Sequence, residues 1–170
     1  PEFQDLLWRR TVLLAAPKSF GGHVGLILNR PTRLSLSTVL PQHASSKKVV
    51  DPLYFGGPFS AATIVAVVTR REAPGAGAVP LGEGLTLAYD AKLIHRIIEQ
   101  TPNDARYFAG LVLWLPGELR AEIDRGLWTL HQADATTAFR RDTDRLWPEL
   151  AYAPRRYRAR APGSSRRVQA

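Results

Sequence analysis

The apolar run Val24-Gly25-Leu26-Ile27-Leu28 passes without a break into Asn29-Arg30-Pro31, and this junction constrains the fold more than any other stretch. The run is too short for an amphipathic helix and rich in branched side chains, which suits a buried strand. Pro31 has no N–H to give to a ladder, and its ring pushes Arg30 towards extended geometry. The strand therefore ends at Asn29 or Arg30. Asn29 is short enough to turn its amide onto nearby backbone, and the Arg30 guanidinium is long enough to reach across the strand end. This corner reads either as a polar site at a strand terminus or as a strand end stitched by a side chain. An Asn close to a Pro is an ordinary turn signal, which favours the stitch.

The neighbouring stretches are read in relation to that strand. Residues 11–16 form a second buried strand, and the Gly21-Gly22 turn joins the two as a hairpin with a longish loop. Ser35 or Ser37 caps a short helix that ends before Pro41. Residues 42–51 read as an exposed loop with a strand entry at Val49-Val50. Leu53-Tyr54-Phe55 meets Gly56-Gly57-Pro58, so a strand end runs into an unusual turn. Residues 64–68 are the clearest β-branched strand, 70–84 a Gly/Pro/Ala loop, and 85–89 a short strand. Asp90 caps a helix over 91–100, whose Leu93, Ile94, Ile97 and Ile98 share one face, and Pro102 stops it. A strand over 106–115 ends at Trp114. Pro116 and Gly117 open a helix with Leu119, Ile123 and Leu127 at four-residue spacing. Residues 127–130 read as a last strand, Asp134 as the cap of 135–139, and Leu146-Trp147-Pro148 as the start of a final helical turn. Strands lie next to each other and also alternate with helices, which favours α+β with a mixed, mostly antiparallel sheet.

At 170 residues and 45% apolar, the chain is long enough for one domain with a real core. We place that domain at residues 4–153, leaving aside Pro1-Glu2-Phe3 from the site reading. Residues 154–170 hold six arginines and no acid; without those six, a net charge of +8 falls to +2 for the rest. The basic character is thus concentrated in the tail, which lacks an apolar pattern and is expected to be disordered. Cysteine is absent, which excludes disulfides, thiolate metal sites and a cysteine nucleophile. No run approaches the roughly 18 apolar residues of a membrane span, and no signal-peptide pattern opens the chain. A cytoplasmic protein with no membrane partner is the expectation.

Chemistry-bearing motifs are scarce. Gly75-Ala76-Gly77 lacks the third glycine of a dinucleotide fingerprint and opens no helix, and there is no P-loop or nucleophile elbow. None of His23, His43, His95 and His131 pairs with another at helical metal spacing, so no metal or cofactor is expected. His23 lies in the glycine-rich turn and His95 on the polar side of its helix. Glu118 and Glu122 share a helix face near an N-terminus, where acids are expected for dipole reasons. Trp114, Trp128 and Trp147 are spread over the elements, and core packing accounts for them better than base stacking. The sharpest feature is the tail: Arg155, Arg156, Arg158, Arg160, Arg166 and Arg167, with Tyr157 among them, suit a flexible nucleic-acid-binding arm or a solubilising terminus.

Several stretches in order resemble the AlgH/YqgE family of bacterial proteins. They are Arg10-Thr11-Val12-Leu13-Leu14, Gly25 to Pro31, Phe55-Gly56-Gly57-Pro58, Tyr107-Phe108-Ala109-Gly110, Trp114-Leu115-Pro116-Gly117-Glu118-Leu119, Glu122-Ile123 and Gly126-Leu127-Trp128, with Phe139 and Leu146-Trp147 behind them. The likeness spans roughly residues 5–150 and leaves out the tail. It implies an α+β fold whose bifurcated sheet curls into a pseudo-barrel with flanking helices. It also implies a cytoplasmic protein without an established activity. Where the family usually has a histidine after the first strand, this chain has Pro17-Lys18. Its Gly-Tyr-Ala-Gly-Trp run appears as Gly110-Leu111-Val112-Leu113-Trp114.

The resemblance supplies no catalytic residue. Asn29, Arg30, Gly56 and Gly57 are the candidate ligand-binding positions. The leading reading is a non-enzymatic binding or regulatory protein acting on a ligand or protein partner. Its rivals are a transcriptional regulator or nonspecific nucleic-acid binder working through the tail, and a hydrolase-type site near Asn29 and Gly56-Gly57.

Overall fold

The computed structural model describes residues 6–19, 21–69, 76–82 and 84–153. The hairpin forms as its sequence requires: β1 (Leu13–Pro17) pairs antiparallel with β2 (His23–Ile27), with Leu14 opposite Leu26. Gly21 and Gly22 take the positive φ values of the turn, 84° and 72°. Ser35 caps α1 (Leu36–Val39) through its side chain on the Thr38 N–H. A 3-10 helix at Ala44–Lys48 replaces the expected loop, because Ser46 is buried and its hydroxyl donates to the Leu40 and His43 carbonyls. No strand follows at Val49-Val50. Asn103 ties that backbone instead, accepting from Val50 N and donating to Lys48 O.

The sheet continues through β3 (Tyr54–Phe55), β4 (Phe59–Thr69), β5 (Ala78–Gly82) and β6 (Leu85–Ala88). β5 falls in a stretch expected to be loop; it is an edge strand held by β6 alone, where Pro80 is tolerated. Asp90 caps α2 (Ala91–Gln100) by accepting from Leu93 N at 3.0 Å. The apolar face of α2 packs on Ala66, Val68 and Tyr107. Burying each of its four Leu/Ile side chains is worth roughly 1.5–3 kcal/mol before chain entropy.

β7 (Ala105–Trp114) is the hub. One edge carries β4; the other is shared by β3, parallel at residues 108–109, and by β2, antiparallel at residues 112–114. The order is β1-β2-β7-β4-β6-β5, mostly antiparallel, forked at β7 and nearly closed into a barrel. The fork depends on glycine. A Cβ on Gly56 would overlap the Gly110 carbonyl, and one on Gly57 would overlap the Leu111 backbone. The Gly56 N–H donates to Ala109 O at 2.8 Å, and Ile27 N donates to Gly56 O at 2.9 Å, so β3 is wedged between β2 and β7.

Three short helices close the chain: α3 (Glu118–Asp124), α4 (Ala135–Ala138) and α5 (Leu146–Tyr152). Asp134 caps α4 on the Thr137 N–H. The strand expected at 127–130 is absent; this stretch joins no ladder.

Candidate functional site

A groove of about 540 Å³ runs over the free edge of β1. One wall is the segment from Trp8 to Val12, another the irregular stretch 126–134 with α4, and α5 completes the end. All four tryptophans of the chain, Trp8, Trp114, Trp128 and Trp147, line it. A second depression of about 360 Å³ continues it and shares Trp8, Trp114 and Trp128.

The rings are fixed individually. The Trp114 indole lies on Gly25, where an added Cβ would come within 2.6 Å of its Cζ3. Its Nε1–H donates to Glu122 Oε2 at 3.0 Å, and Trp128 Nε1–H donates to the same oxygen at 2.6 Å. Trp8 meets Trp128 edge to face, with ring centroids 6.2 Å apart, a favoured aromatic geometry. Glu118 is also occupied, since its carboxylate accepts from Leu115 N at 2.7 Å. The two glutamates are therefore structural, as helix-start acids are expected to be.

The strand-end residues build the first wall. Asn29 Oδ1 accepts from Val12 N at 2.9 Å, and its Nδ2 donates to Arg10 O at 2.8 Å. Arg30 Nη2 donates to Arg9 O at 2.8 Å. None of Asn29, Arg30, Gly56 and Gly57 lines the groove itself. Asn29 and Arg30 hold the backbone of residues 9–12, while Gly56 and Gly57 let the strands beneath it cross. Arg10 sits in the left-handed region at φ 53°, with its guanidinium 5.5 Å from the Trp147 ring centroid. A non-glycine residue there is strained, by about 1–3 kcal/mol.

The opposite wall is held by a residue that sequence reasoning passed over. Arg106 is fully buried at the start of β7, stacked 4.3 Å from the Tyr54 ring centroid. Its Nη1–H donates to Ala138 O at 3.0 Å, which seats α4 against the barrel. Asp51 lies 3.5 Å from Nη2 and 2.9 Å from Arg141 Nε, so one carboxylate serves two guanidiniums. Burial lowers the Arg106 pKa and raises that of Tyr54, while Tyr54 and Asp51 act on Arg106 in the opposite sense. Only its place between Tyr54 and Asp51 in space, invisible in sequence, marks Arg106. Arg140 and Glu149 pair through the two terminal guanidinium nitrogens and tie α5 to the segment after α4.

The histidines stay apart from these walls, except His131, which lines the groove. His23 opens β2, and His43 stacks on His95 with ring centroids 5.0 Å apart. Among the described residues, no three metal-ligating side chains cluster, and no helix is long and apolar enough to cross a membrane. Arg155, Arg156, Arg158, Arg160, Arg166 and Arg167 lie outside the described residues.

The AlgH-like family model (DUF179) matches residues 1–153. A UPF0301 protein of Chlorobaculum tepidum is 28% identical over 146 residues, covering 84% of this chain and 76% of that protein. One from Mycolicibacterium smegmatis is 30% identical over 135 residues, covering 76% and 67%. In fold, the chain is similar to the AlgH protein of Pseudomonas aeruginosa, with a TM-score of 0.63 at 24% identity over 76% of this chain and 71% of the other. It is also similar to DIP2367 of Corynebacterium diphtheriae, with a TM-score of 0.68 at 24% identity, covering 88% and 79%.

Proposed function

The chain belongs to the AlgH-like family, and from that premise we propose that it is a non-enzymatic, cytoplasmic binding protein that takes a small ligand in the tryptophan-lined groove. The convergence of all four tryptophans on one depression carries this reading. These residues are remote in sequence, and a groove of this size falls in the range of small-molecule sites, roughly 300–1,000 Å³. In this reading residues 4–153 work as one unit. Asn29 and Arg30 are positioning residues for one wall and Arg106 for the other. A regulatory role fits the same site, because a ligand touching both walls would bias how the N-terminal segment and α4 sit.

The test is a small-molecule panel followed by intrinsic tryptophan emission and thermal melting. A saturable emission change, lost in Trp128→Ala while the fold is kept, is the expected result. Turnover of any panel member would overturn the non-enzymatic assignment, and a panel without a saturable response would remove the groove.

A second reading rests on the charge of the tail, six arginines and no acid in residues 154–170. Those arginines would sit on phosphates and read little sequence. Binding to short duplex DNA that falls steeply with salt and disappears in a chain ending at Ala153 supports it. Binding kept by the shortened chain would favour a transcriptional regulator that uses its folded body.

A further inference from the structure

The charges around the groove are unequal in how they are engaged. The three acids along the groove and its continuation each already accept a hydrogen bond: Glu118 from Leu115 N, Glu122 from two indole N–H groups, and Asp134 from the Thr137 N–H. The groove's two arginines make no such hydrogen bond among the described residues, although the Arg10 guanidinium lies over the Trp147 ring. Arg9 and Arg10 form no ion pair among the described residues, and both side chains are exposed at the groove mouth. The carboxylates keep their charge, but each already accepts a hydrogen bond, so the charged donors left open at the groove belong to the arginines.

The rings are likewise restricted in what they can offer. The Nε1–H groups of Trp114 and Trp128 are engaged with Glu122, so these indoles present π-faces and edges rather than donors. Faces and edges of this kind hold flat rings by offset or edge-to-face stacking. Arg10 lies beside such a face, with its guanidinium 5.5 Å from the Trp147 centroid. Its backbone is held at a positive φ of 53°, and Asn29 fixes the carbonyl of that residue. A strained residue locked by a neighbouring side chain, with its guanidinium over an indole face, is organised before any ligand arrives.

We propose that the groove binds a planar aromatic molecule bearing a carboxylate or phosphate. Its ring packs among the tryptophans, and its anionic group pairs with the Arg10 guanidinium. This rests on the groove being a ligand site, and it adds the ligand's chemical class. An arginine fork matches either oxyanion bidentately, so both share one recognition chemistry.

The experiment uses the full chain, titrated by calorimetry and by the 15N signals of its four indole N–H groups. The probes are 2-naphthoate, 2-naphthyl phosphate, the neutral 2-naphthamide and the non-aromatic cyclohexanecarboxylate. One or both aromatic anions are expected to bind about tenfold or more tightly than the amide and far above the alicyclic acid, and to shift the indole signals. The stronger of the two separates a carboxylate from a phosphate ligand. Arg10→Gly keeps the positive φ without strain, so it is expected to melt no lower than the parent while losing the anion preference. Arg10→Lys should restore part of it. Equal affinity for naphthoate and naphthamide, or an Arg10→Gly protein that keeps the preference, overturns the anionic class and leaves the groove as a ligand site. Failure of all four probes to move any indole signal overturns both.

Discussion

Replacing Asn29 by alanine removes two hydrogen bonds from the wall of the groove at once. The Val12 N–H loses its acceptor at 2.9 Å, and the Arg10 carbonyl loses its donor at 2.8 Å. Val12 is 9% exposed, so water does not replace the first partner freely; a buried unpaired N–H costs about 1–3 kcal/mol. Arg10 is exposed, and water takes over much of the second bond, adding about 0.5 kcal/mol. The total is about 1.5–3.5 kcal/mol, or a fall in Tm of about 3–14 °C for a domain of this size. Urea unfolding followed by far-UV circular dichroism measures the loss, and an unchanged m-value shows that both states kept their compactness. Without denaturant, the Trp8 contribution to emission should shift to the red as residues 9–12 loosen. A loss below about 0.5 kcal/mol with unchanged emission would show that the wall is held by something other than this amide.

Other substitutions test the remaining supports. Gly56→Ala puts a methyl into the Gly110 carbonyl; strands β3 and β7 must separate, and a loss above about 3 kcal/mol is expected by chemical denaturation. Glu122→Ala leaves two indole N–H groups without an acceptor, costing about 2–3 kcal/mol in the same assay, with a change in native tryptophan emission. Asp51→Ala strands the buried Arg106 guanidinium and should cost about 2–4 kcal/mol. Arg106→Met leaves Asp51 still paired with Arg141 and should cost less; the reverse order would refute the assignment. The hydrogen bond from Arg140 holds the Glu149 carboxyl below its usual pKa of 4.5. The stability it supplies is complete above that value and lost as pH falls through the lowered one, so Glu149→Gln should flatten the melting profile below about pH 4.5.

What the sequence disclosed about the fold followed locality. Ser35, Asp90 and Asp134 each cap the helix that follows, because an N-cap bond spans only three residues. The β2 strand and the α2 face were legible for the same reason, although β2 ends at Ile27, two residues before the expected Asn29. β5 was hidden because Ala78, Pro80 and Gly82 look like loop, and only pairing with β6 makes them a strand. Leu127, Trp128 and Leu130 mimicked a strand because they line a groove, a different reason for apolar spacing. Both amide atoms of Asn29 bond backbone, as the stitch reading expects. The tryptophans fit the core reading only in part: Trp114 is buried, but Trp8, Trp128 and Trp147 are half-exposed on one depression. Residues 8, 114, 128 and 147 meet only through tertiary closure, which no local pattern encodes.

β7 supplies the central pairings of the sheet yet is made late in synthesis. Until residues 105–114 emerge from the ribosome, β2, β3 and β4 lack the strand that joins them. The nascent chain holds at most two separate pieces of sheet, the β1–β2 hairpin and the three-stranded β4–β6–β5 piece, each with an unpaired edge. Chains released before Trp114 should consequently be protease-sensitive and prone to stick, so the health of this protein in a cell depends on translation running through its hub without a pause.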